Sequence, residues 1–121
     1  MATPNESMTA VMNIEGALAA ALVDADSGMT LATAGGGLDL ELAAAGNTEV
    51  VRAKMRVMDS LGLDDRIEDI LITLGKQFHL IRLVSSQSGQ GLFIYLVLHR
   101  DRANLAMARR QLQGIEQALD I

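Results

Sequence analysis

Apolar and polar positions along this chain follow two rhythms, one near 3.6 residues and one near 2, and the switches between them mark out its elements. Met8, Val11, Met12 and Glu15 share a face of a short helix, which Gly16 closes by adopting the left-handed conformation. Ala17 to Val23 is then apolar at every position. It runs into Asp24-Ala25-Asp26-Ser27-Gly28, turn chemistry that fits a hairpin with Met29 to Ala34 as the returning strand. The alanines alone favour helix, whereas the turn residues that follow favour strand.

Gly35-Gly36-Gly37 ends the second strand, and Asp39 is placed to cap a long helix that reaches about Leu61 and closes at Gly62. On a helical wheel Leu40, Ala44, Val51, Met55 and Met58 form one apolar stripe, and Ala43, Gly46, Val50, Val57 and Leu61 form a second about 100° away. A helix lying on one sheet needs a single stripe. This one therefore carries more apolar surface than a sheet covers and is expected to touch something else. Lys54 lies between the stripes, its stem suited to covering apolar surface and its ammonium to reaching water.

Ile67 to Leu74 and Phe78 to Val84 read as strands joined at Gly75-Lys76, with Glu68, Asp69, Thr73, His79 and Arg82 as polar positions. Ser85 to Gly91 is loop by composition, and Leu92 to Leu98 is the clearest strand. Asp101 is expected to cap a last helix whose Leu105, Ala108, Leu112, Ile115 and Leu119 make one narrow stripe. The first and fifth strands are apolar throughout, which puts them at the centre of a sheet buried on both faces, while the other three belong toward the edges. The pattern predicts an α/β (α+β) sandwich around a five-stranded antiparallel sheet ordered 2-1-5-4-3. The long helix covers one face and the two terminal helices the other. Residues 1–7 are expected to form a flexible N-terminus, and residues 8–121 one domain.

Composition narrows the function. Half of the residues are hydrophobic, which excludes disorder. The formal net charge is −5, so the chain is not expected to bind nucleic acid. Residues 1–51 hold Glu6, Glu15, Asp24, Asp26, Asp39, Glu41 and Glu49 with no Lys or Arg, and all ten bases follow. That asymmetry fits a polarised surface and equally an ordinary solvated one. Aromatics are only 2%, so base stacking and aromatic cofactor pockets lose their material, and no cofactor is expected. Without cysteine there is no disulfide, thiolate metal site or thiol nucleophile, and the cytoplasm is the default compartment. No apolar run approaches the ~20 residues of a transmembrane segment, and Met1 to Ser7 lacks the basic start of an export signal.

Candidate chemistry is sparse. Asp24 and Asp26 after an apolar strand have the look of a phosphatase signature, but no companion lysine or metal-binding acids can be placed with them. As a calcium loop the same stretch fails, since its twelfth position is Gly35 and not a bidentate Glu. Gly35-Gly36-Gly37 meets no phosphate-loop spacing, and Asp39 and Glu41 occupy the anion-attracting end of the helix. His79 and His99 read as surface or hydrogen-bonded residues, and Arg109-Arg110 as a partner patch or solvated charge. No nucleophile, base and oxyanion site assemble, so the chain is not expected to be an enzyme.

With these elements in place, the chain from about Met8 to Leu119 resembles the Roadblock family of dynein light chains and its bacterial relatives. The likeness rests on Glu15-Gly16-Ala17-Leu18 leading into Val23-Asp24 and Ser27-Gly28, then on the long helix. Ile70 to Arg82 and Leu96 to Leu105 are similar to the branch found beside small GTPases and sensor kinases in actinobacteria. The resemblance implies a profilin-like fold and a homodimer joined by the long helix and the third strand. The implied contacts are Ala43, Gly46, Val50, Lys54, Val57, Leu61, Ile67, Asp69 and Leu71. It also implies a scaffold or regulator of a Ras-like small GTPase, with a sensor-kinase complex as a further partner class and no arginine finger. The competing readings are a ligand-binding sensor of the PAS or profilin type and a purely structural subunit.

Overall fold

The computed structural model describes residues 2–86 and 89–120. In chain order they form α1 (Pro4–Met12), β1 (Ala17–Asp24), β2 (Thr30–Gly35), α2 (Leu40–Ser60), β3 (Asp69–Thr73), β4 (Gln77–Leu83), β5 (Leu92–His99) and α3 (Leu105–Gln117). The strands make one antiparallel sheet in the order β2-β1-β5-β4-β3, as the apolar pattern predicts. Successive strand residues alternate faces, so a strand apolar at every position needs cover on both sides. On one side Ala20, Leu22, Leu96 and Leu98 pack with Met8 and Val11 of α1 and Ala108 and Leu112 of α3. On the other, Ala19, Ala21, Val23, Phe93 and Tyr95 pack with Ala44 and Val51 of α2.

The N-terminal boundary lies earlier than the pattern suggests. Helix α1 starts at Pro4, where the Thr3 hydroxyl accepts from the Glu6 amide and the Glu6 carboxylate accepts from the Thr3 amide. This reciprocal cap satisfies two donors that the helix start leaves over. Ala2 exchanges backbone hydrogen bonds with Ala118 and Asp120, tying the start of the chain to the end of α3. Regular structure therefore begins upstream of Met8. Ser7, Met8, Val11 and Ile14 form the buried face, and Glu15 is exposed. Met1, Ile121, and Gln87 and Ser88 of the expected loop lie outside the described residues.

Two other boundaries shift. Asn104, not Asp101, caps α3, accepting from the Met107 amide at 3.1 Å. The His99 carbonyl accepts from both Arg102 and Ala103 amides, so Asp101 sits in a turn that must finish before the helix starts. Strand β3 covers only Asp69–Thr73, which leaves Ile67 in the connection from α2. Gly35 turns the chain toward α2 at φ +77°, and a Cβ there would stand 2.3 Å from the Leu18 carbonyl oxygen, so no other residue fits.

Helix α3 is fixed to the sheet by two ion pairs. Glu116 is fully buried and accepts from Arg82 Nη2 at 3.2 Å, from the Ser85 amide at 2.8 Å and from the Ser85 hydroxyl at 2.9 Å. Arg109 donates through Nε and Nη2 to the two carboxylate oxygens of Asp69. The expected patch Arg109-Arg110 is thereby divided, Arg109 belonging to the fold and Arg110 standing exposed.

Candidate functional site

Helix α2 is the element with surface to spare. Its cap holds as expected, the Asp39 carboxylate accepting from the Leu42 amide at 3.1 Å. Across its 21 residues only Ala44, Thr48 and Val51 are buried, all in its first two-thirds, where the alanines of β1 let it settle onto the sheet. Thr48 is a polar member of that face that hydrophobic periodicity passes over, and its hydroxyl is satisfied by the Ala44 carbonyl at 2.8 Å. Beyond Val51 the helix overhangs. Met55, Val57 and Leu61 are 45%, 47% and 66% exposed, and Val50 is 37% exposed, so neither stripe is fully covered toward the C-terminus.

Between the second stripe and β3 runs a groove of about 600 Å³ that brings together Val50, Lys54, Ile67 and Asp69. Gly46, Val57 and Leu61 stand exposed on the same helix, and Ala43 packs partly against the sheet. The strand residues divide by face. Ile70 belongs to the α2 side, whereas Leu71 packs toward α1 and α3 and Asp69 is held by Arg109 of α3. Asp69 and Leu71 thus project to the opposite sheet face from α2, and the α2 face at this edge is supplied by Ile70 and Ile72. The outer edge of β3 pairs with no strand among the described residues, which leaves a row of backbone donors and acceptors open.

A polar cluster lies under the same side. His79 Nε2 meets Gln77 Oε1 at 2.8 Å and its Nδ1 meets the Tyr95 hydroxyl at 2.9 Å, with the two rings edge to face. The amide oxygen as acceptor places the proton on Nε2 and leaves Nδ1 to accept from Tyr95. Burial holds the His79 pKa below its ordinary value. These contacts make His79 a hydrogen-bonded residue of the fold.

The other singled-out residues serve the backbone. Asp24 accepts from the Asp26 amide and the Ser27 hydroxyl, which is hairpin-turn chemistry, and Arg52 donates to the Asp26 carbonyl. Three or more metal-ligating side chains gather nowhere among the described residues. Gly36 and Gly37 have open space around them, and His99 donates its backbone amide to the Gly16 carbonyl at 2.8 Å.

No family model matches the sequence, and no curated protein matches it. Solved structures do match in shape. A Roadblock/LC7 domain from Streptomyces avermitilis superposes with a TM-score of 0.81 at 13% identity, covering 97% of this chain and 94% of that one. The chain has the Roadblock/LC7 fold. MglB of Myxococcus xanthus follows with a TM-score of 0.74 at 15% identity, covering 93% of this chain and 85% of that one. The gliding protein MglB of Thermus thermophilus gives 0.68 at 19% identity, covering 93% and 87%. Within the Roadblock/LC7 fold of this chain no helix of the described residues is long and apolar enough to cross a membrane.

Proposed function

We propose that this chain is a homodimeric, non-enzymatic regulator or scaffold for a Ras-like small GTPase, acting in the cytoplasm. The observation that carries the reading is the overhang of α2 beside an open sheet edge. Val50, Val57 and Leu61 are exposed on a helix that flanks β3, whose outer edge pairs with no strand among the described residues. A second copy laid against this side would bury apolar surface, at roughly 1 kcal/mol for each of these partly exposed side chains, and would pair the open edges. The resemblance of the sequence to the GTPase-associated branch suggests the partner class, and the fold shared with MglB structures is consistent with it.

The basic residues bear on mechanism. Arg52 is turned to the Asp26 carbonyl and to Glu49, Arg82 to Glu116, and Arg109 to Asp69, so these three are engaged within the fold. If the dimer stimulates GTP hydrolysis, it does so by ordering the GTPase's own machinery, and stimulation survives Arg56→Ala and Arg110→Ala. The test is calorimetric titration of a genomically adjacent Ras-like GTPase in its GDP and GTP-analogue states, followed by single-turnover hydrolysis. Binding to at least one state supports the reading, and acceleration separates activator from scaffold. A monomeric protein at micromolar concentration that binds neither state ends it.

A further inference from the structure

At the end of the sheet where β1 and β4 finish and β5 begins, the C-terminal part of α2 overhangs a cleft of about 540 Å³. Met58, Leu83, Leu92 and Arg82 form its inner wall, and Gln113 and Gln117 of α3 form its far side. Asp59, Asp65 and Glu68 stand exposed around it, with Arg66 as the only exposed basic residue of the lining. The volume lies within the range of sites that take a ligand or an anchoring side chain.

The chemistry of the wall selects among occupants. Arg82 is 9% exposed and directs Nε and Nη2 at Glu116 Oε1, so its charge is matched within the fold. Its remaining terminal nitrogen, Nη1, has no hydrogen-bond partner among the described residues and can donate to a neutral carbonyl. A small anion is disfavoured, because the Arg82 charge is already compensated and three exposed carboxylates stand beside one exposed guanidinium, that of Arg66. The carboxamides of Gln113 and Gln117 each offer a donor and an acceptor, which matches peptide backbone. Met55 and Met58 adapt to apolar side chains of varied shape.

We propose that this cleft docks a polypeptide segment of a partner protein, an aliphatic or methionine anchor flanked by lysine or arginine. The anchor sits against Met58 and Leu92, a backbone carbonyl takes Arg82 Nη1, and the flanking bases face Asp59, Asp65 and Glu68. This surface is distinct from the groove along β3, although residues 63–68 border both.

The test begins with panning a random dodecapeptide phage library against the full chain, then titrating the selected peptide, made synthetically, by amide NMR. Selected sequences are expected to combine an aliphatic or methionine residue with Lys or Arg, and to shift the amides of residues 63–68, Leu83 and Gln113. The doubly charge-reversed variant Asp65→Lys with Glu68→Lys, both exposed positions, should keep a dispersed spectrum and bind at least tenfold more weakly. Recovery of acidic peptides, of none, or of peptides that shift amides elsewhere overturns the proposal. So does undiminished binding by the variant. Sedimentation of Asp59→Lys, an exposed position that lines the cleft and not the groove, identifies the other occupant: changed self-association without peptide binding assigns the cleft to a second copy and also overturns the proposal.

Discussion

Glu116→Ala would strand a charge inside the protein. The carboxylate has no exposed surface and accepts from Arg82 Nε at 3.4 Å, Arg82 Nη2 at 3.2 Å and the Ser85 amide at 2.8 Å. Its removal leaves a guanidinium whose side chain is only 10% exposed, together with an unpaired backbone donor. Breaking a buried pair from one side costs about 3–5 kcal/mol, and water in the adjoining cleft can reach part of Arg82, which places the expected loss near ~3 kcal/mol. Set against a domain stability of about 5–15 kcal/mol, that is a large share. Urea unfolding followed by circular dichroism, at one fixed protein concentration so that self-association does not enter, measures it directly. Thermal unfolding should fall by about 10 °C. The decisive comparison is the double variant Arg82→Met with Glu116→Leu. Apolar residues need no partner, so it should regain most of the loss and keep only the cost of the Ser85 amide, about 1–2 kcal/mol. A loss below ~1 kcal/mol for Glu116→Ala, or a double variant as unstable as the sum of its parts, would refute the reasoning.

Three further outcomes are expected. Stability should decline as pH falls below 6.5: the His79 pKa is lowered in the fold by burial, so the unfolded chain takes up the proton first, and His79→Gln should flatten the slope between neutral and mildly acidic pH in urea titrations. Val57→Glu should convert a sedimenting dimer to monomer while changing the monomer's unfolding by less than ~0.5 kcal/mol, since the side chain is 47% exposed. Gly35→Ala should destabilise by more than ~2 kcal/mol, because its φ is +77° and the added Cβ meets the Leu18 carbonyl, whereas Gly36→Ala, in open space at a loop position, should stay within about 0.5 kcal/mol.

The sheet was legible in the sequence because its order follows from burial. Ala17 to Val23 and Leu92 to Leu98 are apolar at every position, and only central strands can use such runs. Local signals misled where two equivalent residues competed. Asp101 and Asn104 both suit a helix cap, and the turn accepted by the His99 carbonyl, which periodicity does not register, decides for the second. Long-range pairing was the other blind spot. Glu116 lies one turn beyond Leu112 on an apolar stripe, and Arg82 reads as a routine polar strand position; only the fold brings them together across 34 residues. Asp69 is expected only as a contact of the third strand, and alternation turns its side chain to the face of α3, where Arg109 holds it. The surplus stripe of α2 was the exception, since apolar surface in excess of one sheet face can be counted without knowing the sheet.

That surplus has a structural origin in β1. Its alanines draw the first part of α2 close to the sheet, and Phe93 and Tyr95 fill the same layer from β5. A straight helix seated at one end cannot also follow the twist of the sheet to its far edge, so the second part stands clear, with the β3 groove on one side and the cleft on the other. Both are bordered by residues 63–68, which hold no regular secondary structure and are anchored through the Leu63 amide to the Met58 carbonyl and the Glu68 carbonyl to the Leu83 amide. A second copy in the groove and a peptide in the cleft would each fix this same segment. Their binding free energies are then linked, and each alters the affinity for the other by one common factor. Where one occupant orders residues 63–68 in the conformation that the other needs, the factor favours joint binding. Measured peptide affinity should then rise with protein concentration through the dimerisation range, and Val57→Glu should abolish that rise while leaving the cleft intact.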